Sequence, residues 1–259
     1  MSHRTNGGIV RRMAAGTAVL ALSLLALVPT AQANADAAAP SFTKIQGAAG
    51  NAAGLQPTVD AYRALLGDPR QEINWDGVPD NLSAPNLMPP DLFNTTVPRG
   101  AVFSSWAGNR FQVSADSDSG VPVRFGNLNS QYPHVFSTFS PEKLFAPLGT
   151  TTTRVHFFVP GTTTPASVNG FGAVFTDVDS STSTKIEVYD QAGNRLWWNW
   201  VPRGTAANNS LSFLGVKTDA RIYEVRITNG NAQLGAANAD GGAKDVVAID
   251  DLIFGTPQA

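Results

Sequence analysis

The chain has 259 residues, with 24 glycines, 17 prolines and no cysteine, and only 15% of its residues are charged. The lack of cysteine excludes disulfides and thiolate chemistry. Acidic residues outnumber basic ones, 20 to 18, whereas a protein that binds a phosphate backbone is expected to be basic. We therefore predict no nucleic-acid partner and a fold that is held together by its core alone.

The first 33 residues have the organisation of a secretory signal peptide. A basic start with Arg11 and Arg12 precedes the apolar segment AAGTAVLALSLLALVP, and residues 31–33 or 33–35 match the small-x-small cleavage pattern. The apolar segment is shorter than the ~20 residues that a membrane span needs. We predict cleavage, no stable membrane span and a secreted protein, located outside the cell or in the periplasm.

Residues 34–56 are rich in alanine, glycine and asparagine, a composition that predicts a flexible linker. The segment PTVDAYRALLGDP then predicts one short helix over residues 57–69. Pro57 suits a first helical position, Val59 and Tyr62 share one face, and Gly67 ends the helix.

Short apolar segments separated by turn residues fill residues 70–259. In TKIEVYD, for example, Ile186 and Val188 alternate with polar neighbours, as in a strand with one buried face. DQAGNR links this segment to RLWWNWV and predicts a hairpin. Around ten such segments with almost no helix predict an all-β fold, an antiparallel β-sandwich of jelly-roll type with one short N-terminal helix.

Carboxylates cluster in NWDGVPD, FTDVDSS and NADGGAKDVVAIDD, while the motifs of common hydrolases and phosphate-binding loops are absent from the sequence. Calcium takes six to eight oxygen ligands on a loop that can bend around it. Asp240, followed by two glycines, fits that need. The candidate metal ligands are Asp76, Asp240, Asp245, Asp250 and Asp251.

Asp250 and Asp251 stand side by side in the last apolar segment, VVAIDDLIFG. Neighbouring residues of a regular strand point to opposite faces, so only a bulge would let both carboxylates face one site. One can reach solvent, whereas the other needs a partner because burying a lone charge is costly. Structural hydrogen bonds, calcium and catalysis all remain open for this partner.

The aromatic segment RLWWNWV is the second candidate site. Unbroken alternation would place Leu196, Trp198 and Trp200 in the core and Trp197 on the surface. An exposed tryptophan can stack on a sugar ring or mark a protein contact. The predicted ligand-binding residues are Trp197, Tyr189, Arg195 and Asn199.

Several motifs together carry a family resemblance: EINWDGVPD, FFVPGT, VNGFGAVFTDVD, IEVYD and DVVAIDDLIFG. Over residues 71–255 the chain resembles a group of secreted bacterial β-sandwich proteins, some of which have a PEP-type C-terminal sorting tail. The closing IDD pattern is similar to the last strand of galactose-binding-like and carbohydrate-binding-module jelly rolls. That resemblance implies a structural calcium near the chain ends, bound by Asp76 and by Asp250 or Asp251.

Three functions fit these observations. The first is a secreted, non-catalytic module that binds carbohydrate or another component of a cell surface or matrix and is stabilised by calcium. The second is a secreted polysaccharide hydrolase with paired carboxylates drawn from Asp76, Asp177, Asp179 and Asp251. The third is a structural or adhesive extracellular protein. An exposed aromatic platform favours binding, and two carboxylates that converge in a cleft favour hydrolysis.

Overall fold

The computed structural model describes residues 38–259. The predicted signal peptide, residues 1–33, and the start of the predicted linker lie outside the described residues. No helix within 38–259 combines the length and the apolar character that crossing a bilayer requires.

The described chain is built mainly of strands. In chain order the elements are β1 (Phe42–Ala49), α1 (Ala52–Leu66), β2 (Arg70–Ile73), a 3-10 turn (Asp80–Leu82), α2 (Leu92–Thr95), β3 (Ala101–Ser104), β4 (Phe111–Val113), α3 (Tyr132–Val135), β5 (Phe145–Pro147), β6 (Thr152–Phe157), β7 (Val168–Thr176), β8 (Lys185–Tyr189), β9 (Arg195–Trp200), β10 (Leu211–Ile222), β11 (Glu224–Thr228) and β12 (Ala248–Gly255).

These strands form two antiparallel sheets. The seven-stranded sheet has the order β1-β10-β7-β12-β5-β4, with β2 also paired to β12, and the five-stranded sheet has the order β3-β6-β11-β8-β9. The all-β sandwich expected from the sequence is therefore confirmed, while its jelly-roll connectivity stays a prediction.

The main core lies between the two sheets. Phe171 and Phe254 from the larger sheet and Val155 and Ile227 from the smaller one belong to a single buried cluster. Alternation explains their placement, because every second residue of a half-buried strand points inward. Replacing one such phenylalanine by alanine typically costs about 3–5 kcal/mol.

The linker prediction is wrong for residues 42–56. Residues 42–49 form β1, which pairs along its whole length with β10. The helix begins at Ala52 rather than at Pro57, because Asn51 caps it by accepting a hydrogen bond from the Gly54 amide. Small side chains here allow close packing. A Cβ on Gly47, for example, would stand 2.7 Å from the Thr58 hydroxyl.

Helix α1 covers the outer side of the seven-stranded sheet. Its residues Leu55, Val59 and Tyr62 are fully buried in a cluster that includes Phe213 and Ile253 of the sheet. The larger sheet is thus packed on both faces at this point.

Candidate functional site

A bulge in β9 reverses the predicted orientation of its tryptophans. Tyr189 pairs with Arg195, but the next pair along is Val188 with Trp197, so Leu196 is an extra residue. Inserting one residue moves every later side chain to the other face. The prediction of an exposed Trp197 is therefore wrong, because Leu196 and Trp197 both pack against the core.

Trp198 and Trp200 take the outward place that was predicted for Trp197. They lie opposite Glu187 and Lys185, whereas Asn199 lies opposite Ile186 and shares its inward side. The prediction that Asn199 faces outward is therefore also wrong. Neither error could be corrected from RLWWNWV itself, because the extra residue is defined only by the pairing of β9 with β8.

The outward residues of the five-stranded sheet form one surface, which we call the tryptophan face. It consists of Trp198 and Trp200 on β9, Trp106 next to β3, and the outward side chains of the strands between them. Three large hydrophobic side chains are exposed in residues 38–259, and two of them belong to this face: Trp106 at 67% and Trp198 at 42% exposure. The third is Leu87 at 41%.

Ion pairs fill the middle of the tryptophan face. Glu224 accepts hydrogen bonds from Arg154 at 2.7 Å and from Arg226 at 2.5 Å. Glu187 is bound by Lys185 at 2.8 Å and Arg195 at 2.9 Å. Burial acts to raise the pKa of both glutamates, but the hydrogen bonds from their basic partners outweigh it and hold each pKa below its usual range. Both carboxylates are therefore fixed as anions.

The basic side chains also order the aromatic ones. Arg226 lies 3.9 Å from the ring centre of Tyr189 and 5.8 Å from that of Trp106, and Arg195 lies 5.6 Å from that of Trp198. Such cation–π contacts hold exposed rings in place. The predicted residue Tyr189 lies on this face but is only 7% exposed, because Arg226 covers it, whereas Arg195 is exposed as predicted.

Three aspartates form a second candidate site, which we call the three-aspartate cluster: Asp177, Asp179 and Asp240. Each offers a carboxylate oxygen, and these oxygens all lie within 4.8 Å of one another. Such a buried group could bind a metal ion. The sequence predicts Asp240 as a metal ligand, whereas it offers Asp177 and Asp179 only as hydrolase carboxylates.

Asp177 is the least satisfied member of the three-aspartate cluster. It is fully buried, and neither of its carboxylate oxygens has a hydrogen-bond partner. Burial, followed by the charges of Asp240 and Asp179, raises the pKa of Asp177 to about 9. Burial and neighbouring carboxylates likewise raise the pKa of Asp179 to about 6. Without a bound cation, burial and mutual repulsion therefore disfavour ionisation of all three carboxylates.

The predicted metal ligand Asp245 stands next to the cluster but is occupied by protein donors. It accepts hydrogen bonds from the amides of Asp179 and Ser180, at 3.2 and 3.0 Å, and from the hydroxyl of Ser183. Asp76, also predicted as a ligand, accepts the Lys143 amide at 3.0 Å. Neither belongs to the group of three whose oxygens converge.

Asp250 and Asp251, the terminal aspartate pair, face one site after all, because a bulge interrupts β12. Ile249 pairs with Phe175 and Leu252 with Ala173, so three steps on β12 oppose two on β7. The Ser140 hydroxyl contacts both carboxylates, at 3.0 and 2.7 Å, and Asp250 also accepts the Phe139 amide. Both aspartates are buried, and their partners are protein donors.

The carboxylates proposed for hydrolysis are divided between separate groups. Asp251 is held with Asp250 at Ser140, whereas Asp177 and Asp179 belong to the three-aspartate cluster. Asp251 borders an open groove of about 390 Å³ that is also lined by Arg63, Arg99 and Glu72.

Comparison of the chain with protein-family models, with curated proteins and with solved structures finds no match.

Proposed function

We propose that this protein is a secreted, non-catalytic module that binds a polysaccharide of a cell surface or matrix on its tryptophan face. The observation that carries the proposal is the pair of exposed rings, Trp106 and Trp198, on the outward side of one sheet. An exposed aromatic ring can stack on the apolar side of a sugar, and the charged groups between the rings can form hydrogen bonds with the sugar hydroxyls.

The distribution of charge favours a polysaccharide that carries carboxylate or sulfate groups. Arg154, Arg226, Arg195 and Lys185 face two glutamates here, although the chain as a whole has a net charge of −2. A local excess of basic groups attracts anionic ligands, and salt weakens that attraction.

Binding of the wild type to neutral and uronate-containing polysaccharides, measured by affinity electrophoresis, tests this proposal. We expect Trp198→Ala to weaken binding about 30-fold, corresponding to about 2 kcal/mol for a central aromatic side chain. Leu87→Ala is the matched control, since Leu87 is equally exposed but its neighbour Met88 pairs with Phe111 of β4, in the other sheet. Wild-type binding that Trp198→Ala leaves unchanged rejects the tryptophan face as the site.

Two further measurements, of reducing ends and of protein binding, separate the other two functions. Release of reducing ends during incubation favours a hydrolase, and the groove beside Asp251 is then the place to mutate. Binding to proteins but to no polysaccharide favours an adhesive protein.

We also propose that calcium stabilises the module as a structural ion, without contacting the polysaccharide. Support comes from the chemistry of the three-aspartate cluster, whose ligands are all carboxylate oxygens. Hard cations such as calcium prefer such ligands, whereas histidine and cysteine favour zinc or copper.

A further inference from the structure

Two connections cross between the sheets at the same end of the sandwich. Residues 177–184 lead from β7 in the larger sheet to β8 in the smaller one, and residues 229–247 lead from β11 back to β12. Their ends are neighbours, because Thr176 pairs with Ala248 and Lys185 with Thr228. The two crossings therefore lie side by side.

The three-aspartate cluster joins these two connections. Asp177 and Asp179 belong to the first, and Asp240 belongs to the second. Direct hydrogen bonds already link the two connections at Asp245 and between the Gly230 amide and the Thr184 hydroxyl, both close to where the connections join the strands. Residues 236–243 beyond them are mostly exposed, and a connection this long without secondary structure is uncommon unless it has a function.

The buried Asp177 side chain points to a missing ligand at this place. Its two oxygens lack donors at full burial and converge with those of Asp179 and Asp240. Buried polar atoms are nearly always paired, so each exception requires an explanation. Arg203 is a cation near Asp179 and lowers its pKa, but burial and the other carboxylates outweigh it.

We propose that Asp177, Asp179 and Asp240 bind one calcium ion, which fastens the 229–247 connection to the 177–184 connection. This inference rests on the structural calcium of the proposed function and is independent of polysaccharide binding. Calcium tolerates irregular geometry and accepts backbone carbonyls and water as further ligands, which suits a site shared by two loops. Magnesium demands a nearly ideal octahedron and fits such a site less well.

The test compares thermal unfolding in calcium and in excess chelator for the wild type, Asp177→Asn and the control Asp118→Asn. Asparagine tolerates the left-handed backbone of Asp177, whose φ is +68°, so the variant should fold. Asp118 is an exposed carboxylate outside the cluster. At calcium a hundred times the dissociation constant, the ratio of folded to unfolded wild type should rise about 100-fold.

We expect the calcium shift in the wild type and in Asp118→Asn and its loss in Asp177→Asn. Hydrogen exchange should also slow in residues 236–243 on adding calcium, with the 190–194 hairpin unchanged. A shift that Asp177→Asn retains overturns the location, and a shift without slower exchange overturns the fastening role. If magnesium raises the melting temperature as much as calcium does, the site does not select calcium, and the assignment of the ion is overturned.

A wild type with equal melting temperatures in calcium and chelator overturns both this inference and the structural calcium. The polysaccharide proposal would survive that result, because its assay reads the tryptophan face. Failure of polysaccharide binding alone would in turn leave the calcium site intact.

Discussion

The terminal aspartate pair and the three-aspartate cluster both contain buried carboxylates, but these differ in their hydrogen-bond donors. Asp250 receives the Phe139 amide and the Ser140 hydroxyl, and Asp251 shares that hydroxyl and lies 3.8 Å from Arg63. Asp177 receives no donor. Burial by itself therefore does not indicate a metal site, whereas the absence of donors at a buried carboxylate does point to a ligand.

The largest expected effect concerns the terminal aspartate pair. Replacing Asp250 by alanine removes the acceptor of the Phe139 amide, leaving that donor unpaired beside a void, while the Ser140 hydroxyl keeps Asp251 as its acceptor. We expect a loss of about 2–4 kcal/mol in the free energy of unfolding, measured with urea. Asp118→Ala, at an exposed site, should change it by less than about 0.5 kcal/mol. Equal effects would show that these hydrogen bonds do not stabilise the fold.

The sequence predicts the fold correctly but misplaces residues at both candidate sites. Alternation in segments such as TKIEVYD predicts the β-sandwich correctly, because burial of one sheet face imposes a period of two. Both site errors come from bulges, at Leu196 and between Ile249 and Leu252. A bulge depends on pairing with another strand and leaves no period in its own segment.

The three-aspartate cluster escaped prediction for a related reason. Asp177 and Asp240 are far apart in sequence and meet only because two crossings lie at one end of the sandwich. The linker prediction for residues 42–49 fails for the same reason. Their small side chains indicate close packing only when the position of α1 against them is known. Contacts between distant segments were thus the missing information.

A second prediction uses pH to probe the same pair. Burial, and then the charge of Asp251, holds the pKa of Asp250 well above its usual range. The unfolded chain loses this proton at about pH 4, so Asp250 costs stability progressively as the pH rises above that value. The slope is at most about 1.4 kcal/mol per pH unit. Urea titrations between pH 5 and pH 7 should show a shallower decline for Asp250→Asn than for the wild type, and parallel declines would contradict the raised pKa.

The smallest expected effect has the opposite sign and belongs to the three-aspartate cluster. Burial and the charges of Asp240 and Asp245 raise the pKa of Asp179 to about 6, so at pH 8 its ionised form is strained when no calcium is present. Asp179→Asn removes that charge and should stabilise the chelator-treated protein, by less than about 1 kcal/mol because Asp179 is partly exposed. The same substitution should reduce the calcium shift. If it destabilises the protein in chelator, the carboxylate has a protein partner there, and the contrast between the two acidic groups disappears.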